Sequence, residues 1–448
     1  MNRILKCVIF IIVMASSVEN YAQNGFQFDD KSKSKVIIPF EVINNLIFIP
    51  MQINGVELNF LLDSGVEETV LFSLDEKNEV NFFNVKKIKL TGLGNAESID
   101  GLKSSGNKLS FPGLTDYNHD LYIVLDQDFN FSSNIGVPVN GILGYHFFKN
   151  HLVEIDYDKR KITVHNDEAK SKKKMYKGFK RFDISIDNNK PYIVASIAIK
   201  KGSDFLAKVL VDLGNSDAVW LFHHKSDAIV IPEKNFEDFL GRGFSGDIHG
   251  KRARIDHFSL DNFIFRNPLV AFPDTMSIKK VKMVENRVGS IGGEILKRFT
   301  VMLDYENGKM YLKKSSHYDS PFNYNMSGIE IHHNGMTWVQ EKVDFKTVSS
   351  VTTYKANGAE ATDTNSFRYK FELKPVYSIA NVRKDSPGEL SGLKKDDVII
   401  SINNKPGHRY TLQQINHILK SEEGKFVKIE VDRNGVIMKF SFRLKNML

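Results

Sequence analysis

Two aspartates lie in matching tripeptides, Asp63-Ser64-Gly65 and Asp212-Leu213-Gly214, each closing an apolar run, Phe60-Leu61-Leu62 and Val209-Leu210-Val211. A buried strand that ends in such a turn presents a carboxylate, and the glycine two residues on permits tight backbone geometry or close approach. A lone Asp-x-Gly is ordinarily just a turn. Two of them at equivalent points of a duplicated chain can meet across a twofold axis. Like charges at contact distance cannot comfortably both ionise, so one proton is shared and the pair titrates in two separated steps. The ionised member can deprotonate a water as it attacks a peptide carbonyl. The protonated member hydrogen-bonds the carbonyl oxygen and later supplies a proton. Neither aspartate holds a permanent role in such a pair.

The duplication can be read from fixed offsets. At 149 residues, Asp63 falls on Asp212, Val70-Leu71-Phe72 on Val219-Trp220-Leu221, and Gly92, Gly94 and Gly101 on Gly241, Gly243 and Gly250. At 148 residues, Ile142-Leu143-Gly144 falls on Ser290-Ile291-Gly292, and Val153 to Tyr157 on Val301 to Tyr305. Two lobes are expected, over 35–167 and 178–315, joined by a basic linker at 168–177. Within them, short runs rich in β-branched and aromatic residues predict strands, among them Lys35–Ile38, Leu46–Ile49, Val56–Leu62, Ile88–Leu90, Tyr192–Ile199 and Phe205–Val211. Helical segments are short, Tyr145 to Lys149 and Glu294 to Arg298. The fold class is therefore mainly β. The segment Gly92-Leu93-Gly94 through Gly101 is a candidate flap that could cover a substrate and exclude water.

At 448 residues the chain is long enough for two or three domains. Residues 1–22 have the form of a signal peptide: Arg3 and Lys6, an apolar stretch from Cys7 to Ala15, then small and polar residues to Ala22. The expected location is outside the cytoplasm, in a bacterial periplasm or at the cell surface, with no transmembrane span in the mature chain. Cys7 is the one cysteine, so removal of the signal leaves neither disulfides nor thiol chemistry. The net charge of +7 is spread along the chain, and its densest part, Lys170 to Lys174, has no accompanying nucleic-acid-binding fold. His223-His224 and His332-His333 lack a third spaced ligand, and Gly92-Leu93-Gly94 lacks the rest of a nucleotide loop. No metal, cofactor or nucleic acid is implied.

The Asp63-Ser64-Gly65 turn, followed by Gly141-Ile142-Leu143-Gly144, resembles the aspartic peptidases of the pepsin and retroviral type. Asp212-Leu213-Gly214 and Ser290-Ile291-Gly292 give a weaker second copy. The resemblance implies a bilobal pair of β-barrels with pseudo-twofold symmetry, Asp63 and Asp212 as the catalytic pair, Gly92 to Gly101 as flap, and an extended peptide or unfolded protein as substrate. In that family the hydroxyl after each aspartate ties the two turns together. Ser64 keeps one, while Leu213 carries no hydrogen-bonding group.

The C-terminal segment, 325–448, resembles a PDZ domain. The resemblance rests on Val376–Arg383, then Asp385-Ser386-Pro387-Gly388 through Leu393, then Lys395–Asn403. A helix is expected over Thr411–Ser421, and a hairpin turning at Asn434-Gly435. Asn334 to Glu372 reads as early strands with a long loop. Such a domain adds an extended peptide to a sheet edge. Two readings of the whole follow. One is an exported aspartic endopeptidase whose PDZ-like domain captures peptides or partners. The other is a bilobal peptide-binding or assembly protein with weak or no turnover.

Overall fold

The computed structural model describes residues 25–72, 80–90, 99–125, 131–167, 173–243, 246–279, 282–344, 353–354, 360–361 and 367–448. The expected signal peptide, part of the basic linker, and the candidate flap residues Gly92, Leu93 and Gly94 lie outside these residues. Among the described residues, no helix is long and apolar enough to cross a membrane. The fold is mainly β, two lobes of one kind followed by a PDZ-like domain.

The first lobe is built around the strand that ends at Asp63. Val56–Leu62 pairs antiparallel with Leu46–Ile53 on one side and parallel with Gly141–Leu143 on the other. Gly141–Leu143 pairs antiparallel with Thr69–Leu71, which in turn runs parallel to Leu114–Val124. Strands with parallel neighbours tend to be buried on both faces, hence the unbroken apolar runs Phe60-Leu61-Leu62 and Ile142-Leu143.

The second lobe repeats every step. Asp204–Val211 lies between Lys190–Ala198, antiparallel, and Arg287–Ile291, parallel. Arg287–Ile291 pairs antiparallel with Val219–Leu221, which runs parallel to Leu269–Pro273. Hairpins occupy matching places, Lys86–Leu90 with Ile99–Phe111 and Asn235–Gly243 with Gly246–Arg254. The expected short helices are a single 3-10 turn at Tyr145–Phe147 and one helical turn at Gly293–Leu296.

A six-stranded sheet joins the lobes, in the order Lys180–Asp183, Lys309–Lys314, Phe299–Asp304, Leu152–Asp156, Lys161–His165, Lys35–Pro39. At its centre Glu154 faces Met302, Ile155 faces Val301 and Val153 faces Leu303. Met302 is the residue 148 positions after Glu154, its own repeat equivalent. The pseudo-twofold axis therefore passes through that pair, and the register displays the symmetry that the offsets implied. One apolar core runs through both lobes, from Phe60 and Leu62 through Ile155 and Val301 to Val209 and Val211.

Residues 323–448, together with 130–138, form a second compact unit. Residues 130–138 fall inside the 35–167 segment of the sequence yet belong to this unit. Its main sheet runs Ile329–Asp344, Phe367–Val382, Val398–Ile402, Phe426–Arg433, Val436–Arg443. The expected helix spans Leu412–Leu419, starting after Thr411, whose side chain and that of Gln414 form a reciprocal capping box. Arg433 grips the buried Asp397 through two contacts of 2.6 and 2.7 Å, tying the Phe426–Arg433 strand to the turn before Val398.

Candidate active site

Asp63 and Asp212 leave the ends of their strands in the same way. The Asp63 N–H donates to Leu143 O at 3.0 Å, and the Asp212 N–H donates to Ile291 O at 2.9 Å. Each parallel neighbour thus holds the first residue of the turn, and a glycine follows it. A Cβ at Gly144 would collide with Val66 O, and one at Gly292 with Asn215 O and Asp217 O. This close backbone approach accounts for the glycine that follows each apolar pair, Ile142-Leu143 and Ser290-Ile291.

The two carboxyl groups meet. Asp63 and Asp212 are hydrogen-bonded to each other through their side chains. The Gly65 N–H donates to Asp63 Oδ1 at 2.6 Å, and a Cβ at Gly65 would stand 2.8 Å from Asp212 Oδ1. Gly214 is packed still more tightly, since a Cβ there would overlap the Asp63 carboxylate. Each glycine thus makes room for the carboxylate of the opposite lobe as well as for its own turn.

Burial, and next the charge of Asp212, push Asp63 up to about 7. Asp212 is raised too, mainly by burial, against the opposing pull of Arg287, Lys190 and the hydrogen bond from Asp63. The pair therefore holds one proton between the two groups across the mildly acidic range, with the protonated Asp63 donating to Asp212. Asp63 is 8% exposed while Asp212 is only partly buried, so the diad is accessible from one side.

The turns are braced from one side only. Ser64 Oγ donates to Val211 O at 2.7 Å and accepts from the Leu213 N–H at 3.0 Å. Ser64 therefore spans both ends of the Asp212 turn. Leu213 returns nothing of the kind, and its side chain is 1% exposed in the shared apolar core. Burying a leucine contributes about 2 kcal/mol, more than the roughly 1 kcal/mol of an ordinary hydrogen bond. The substitution is thus tolerated by stability, and what it removes is a constraint on position.

Sequence reasoning missed a second symmetric pair of ties. Asn45 Nδ2 donates to Ser216 O at 2.8 Å and to Glu294 Oε2 at 2.9 Å, and Asn189 Nδ2 donates to Glu67 Oε1 at 2.7 Å. Ser216 is the residue 149 positions after Glu67, so each lobe reaches across to the same point of the other. Asn45 and Asn189 adopt positive φ, +66° and +61°, in tight hairpin turns that asparagine accommodates well. The Asn189 turn also carries Lys190 toward the diad, while Arg287 near Asp212 is hydrogen-bonded to Tyr192. Burial, and next the nearby charges including those of Asp63 and Asp212, raise the hydroxyl of Tyr305. Paired Asn-Asn turns were a signal available in the sequence; Lys190, Arg287 and Tyr305 carried none.

Thr69 Oγ1, His119 and Asp116 form a second chain of polar groups, with both ring nitrogens of His119 bonded at 2.7 Å. The order imitates a nucleophile, base and acid. Thr69 and His119 are completely buried and Asp116 nearly so, and the chain serves to satisfy polar groups inside the first lobe. Among the described residues, no group of three His, Cys, Asp or Glu side chains could hold a metal ion.

Comparison with known proteins bears on both parts of the chain. Residues 49–147 match the aspartyl protease family model. This stretch contains Asp63-Ser64-Gly65 and Gly141 to Gly144 and stops short of the second lobe. Residues 378–433 match the model of the PDZ domain. A search of the curated proteins finds no match. Among solved structures, the chain is similar to the crystal structure of aspartic proteinase from Irpex lacteus, at 12% identity and a TM-score of 0.43, over 64% of this chain and 100% of that one. The protein thus combines an aspartyl protease-like domain with a PDZ domain.

Proposed function

We propose that the protein is an exported aspartic endopeptidase, in which Asp63 and Asp212 activate a water against a peptide bond. The observation that carries this reading is the hydrogen-bonded carboxyl pair at the pseudo-twofold axis, with one member pushed up to about 7 by burial and by its neighbour. Between the lower and upper steps of its titration the pair is singly protonated, so it contains both a base for water and an acid for the carbonyl oxygen. The substrate would be an extended peptide or unfolded protein crossing both lobes, with the Gly92 to Gly101 segment as candidate flap. The PDZ domain would bind peptides or partner proteins beside this activity, and the apolar N-terminal segment would direct export to a periplasm or cell surface.

A second reading, peptide binding with weak turnover, is favoured by Leu213, because the diad lacks one of two braces and catalysis is sensitive to displacements of about 1 Å. Cleavage of a diverse peptide library, with Asp63→Asn and Asp212→Asn as controls, separates the two. Hydrolysis lost in both variants with the fold intact supports the endopeptidase. Peptide affinity without cleavage at any pH supports the binding protein, and full turnover in either variant refutes the shared-proton mechanism.

A further inference from the structure

Within the second compact unit, Phe131–Ile135 forms a short helix that packs on the Ile329–Asp344 strand, as does the Leu412–Leu419 helix. Ile329–Asp344 stands at the end of its sheet, paired only with Phe367–Val382, so its other edge carries no strand among the described residues. A strand edge beside a helix is where a domain of this kind receives an extended peptide. Here the chain's own residues occupy that place.

The contacts are specific. Gln413 Nε2 donates to Ile135 O at 2.9 Å, and Ile135 is 6% exposed. The Gly136 N–H closes the helical turn on Ser132 O at 2.8 Å, with φ at +80°. A Cβ at Gly136 would lie 2.8 Å from Leu412 Cβ. Glycine is therefore required there twice, by the left-handed backbone and by contact with the helix. Beside the start of the strand, the Ser327 N–H is bonded to Asn325 Oδ1 and the Ile329 N–H to Ser327 Oγ. Those amides are engaged locally, so they do not present a ready cradle for a terminal carboxylate. An internal segment, which has no carboxylate, fits that condition.

We propose that residues 131–138 are an intramolecular ligand of the PDZ domain, and that an outside peptide engages this groove only by displacing them. The inference does not depend on whether the diad hydrolyses peptides. Because the segment is covalently attached, it competes at an effective concentration on the order of millimolar, which weakens a micromolar-range peptide on the order of 10- to 100-fold.

The test uses the full chain in two measurements. Hydrogen exchange of the wild type is expected to show the Gly136 amide protected, and Gln413→Ala is expected to accelerate exchange across 131–138 while amides of the Leu412–Leu419 helix stay slow. Exchange of 131–138 at the unstructured rate in the wild type, or no acceleration in the variant, overturns the proposal. The second measurement is anisotropy with a fluorescein-labelled peptide of the sequence 130–138. The Ile135→Asp/Gly136→Val double variant is expected to bind it on the order of 10- to 100-fold more tightly than the wild type. Equal affinity, or no binding to a variant whose helix amides remain protected, overturns it.

Discussion

Asp63→Asn is expected to stabilise the folded aspartyl protease-like lobes at neutral pH and to do nothing for them in acid. The carboxyl of Asp63 is pushed from an ordinary value of 3.8 to about 7 by burial and the charge of Asp212. Below about pH 4 both folded and unfolded chains hold the proton, and no difference arises. Between about 4 and 7 the folded chain keeps the proton that the unfolded chain has lost, so stability falls as pH rises through this window and levels off above it. At about 1.4 kcal/mol per pH unit, the penalty reaches about 4 kcal/mol. Asparagine carries no charge and still offers Oδ1 to the Gly65 N–H, so the variant should recover most of that amount, less the roughly 1 kcal/mol of an imperfect hydrogen bond. Urea unfolding at pH 4, 5.5 and 8 would measure it. The probe would be Trp220, whose Nε1 donates to Asp217 at 2.7 Å, in a background where the exposed Trp338 is replaced by Phe. A gain over the parent that is the same at pH 4 and pH 8, or larger at pH 4, refutes the argument that a buried shared proton connects these two aspartates.

Further outcomes follow from the same geometry. Hydrolysis should persist at mildly acidic pH and decline above about 7, as the last proton leaves the pair; a rate profile that rises through pH 8 contradicts this. Ser64→Ala leaves Val211 O and the Leu213 N–H without their shared partner, with an expected loss of about 2–4 kcal/mol by urea unfolding and a fall in kcat. Leu213→Ser should lower stability by about 1–3 kcal/mol through lost apolar burial while raising kcat toward that of a doubly braced diad, and a fall in both would show that the leucine itself positions the turn. Gly214→Ala forces a methyl group into the Asp63 carboxylate and should reduce kcat by about 100-fold or more, measured with any cleaved peptide from the library.

Much of this arrangement was legible because duplication writes itself twice. The apolar runs before Asp63 and Asp212 and the glycines at 144 and 292 serve strands whose neighbours are parallel and whose backbones nearly touch, a requirement that only a few residues meet. The C-terminal helix was similarly open to reading from Thr411, Gln414 and the spacing of Leu412, Ile415 and Leu419. The brace itself was not legible. Ser64 and Leu213 were visible as unequal partners, but the bonds of Ser64 to Val211 and Leu213 depend on how two turns 149 residues apart are juxtaposed. The Asn-Asn pairs at 44–45 and 188–189 carry only the local signal of a turn, and their cross-lobe bonds arise from tertiary packing. Residues 131–138 were hidden for a related reason: a five-residue helix has little periodicity, and nothing local marks a segment as belonging with residues from 323 onward.

The pairing of Glu154 with Met302 has a consequence for how the molecule is made. Leu152–Asp156 has Lys161–His165 on one side and finds its second neighbour in Phe299–Asp304, and the outer strand Lys180–Asp183 pairs with Lys309–Lys314. During synthesis the first lobe therefore emerges with an open edge at Leu152–Asp156 and waits for about as many residues again before that edge is covered. Contacts so distant in sequence form slowly and leave intermediates prone to mispairing. The two aspartates cannot be brought together until the same late strands are in place, so the pair is absent through roughly the first two-thirds of elongation. A nascent chain therefore has no assembled aspartate pair until its second lobe has been made.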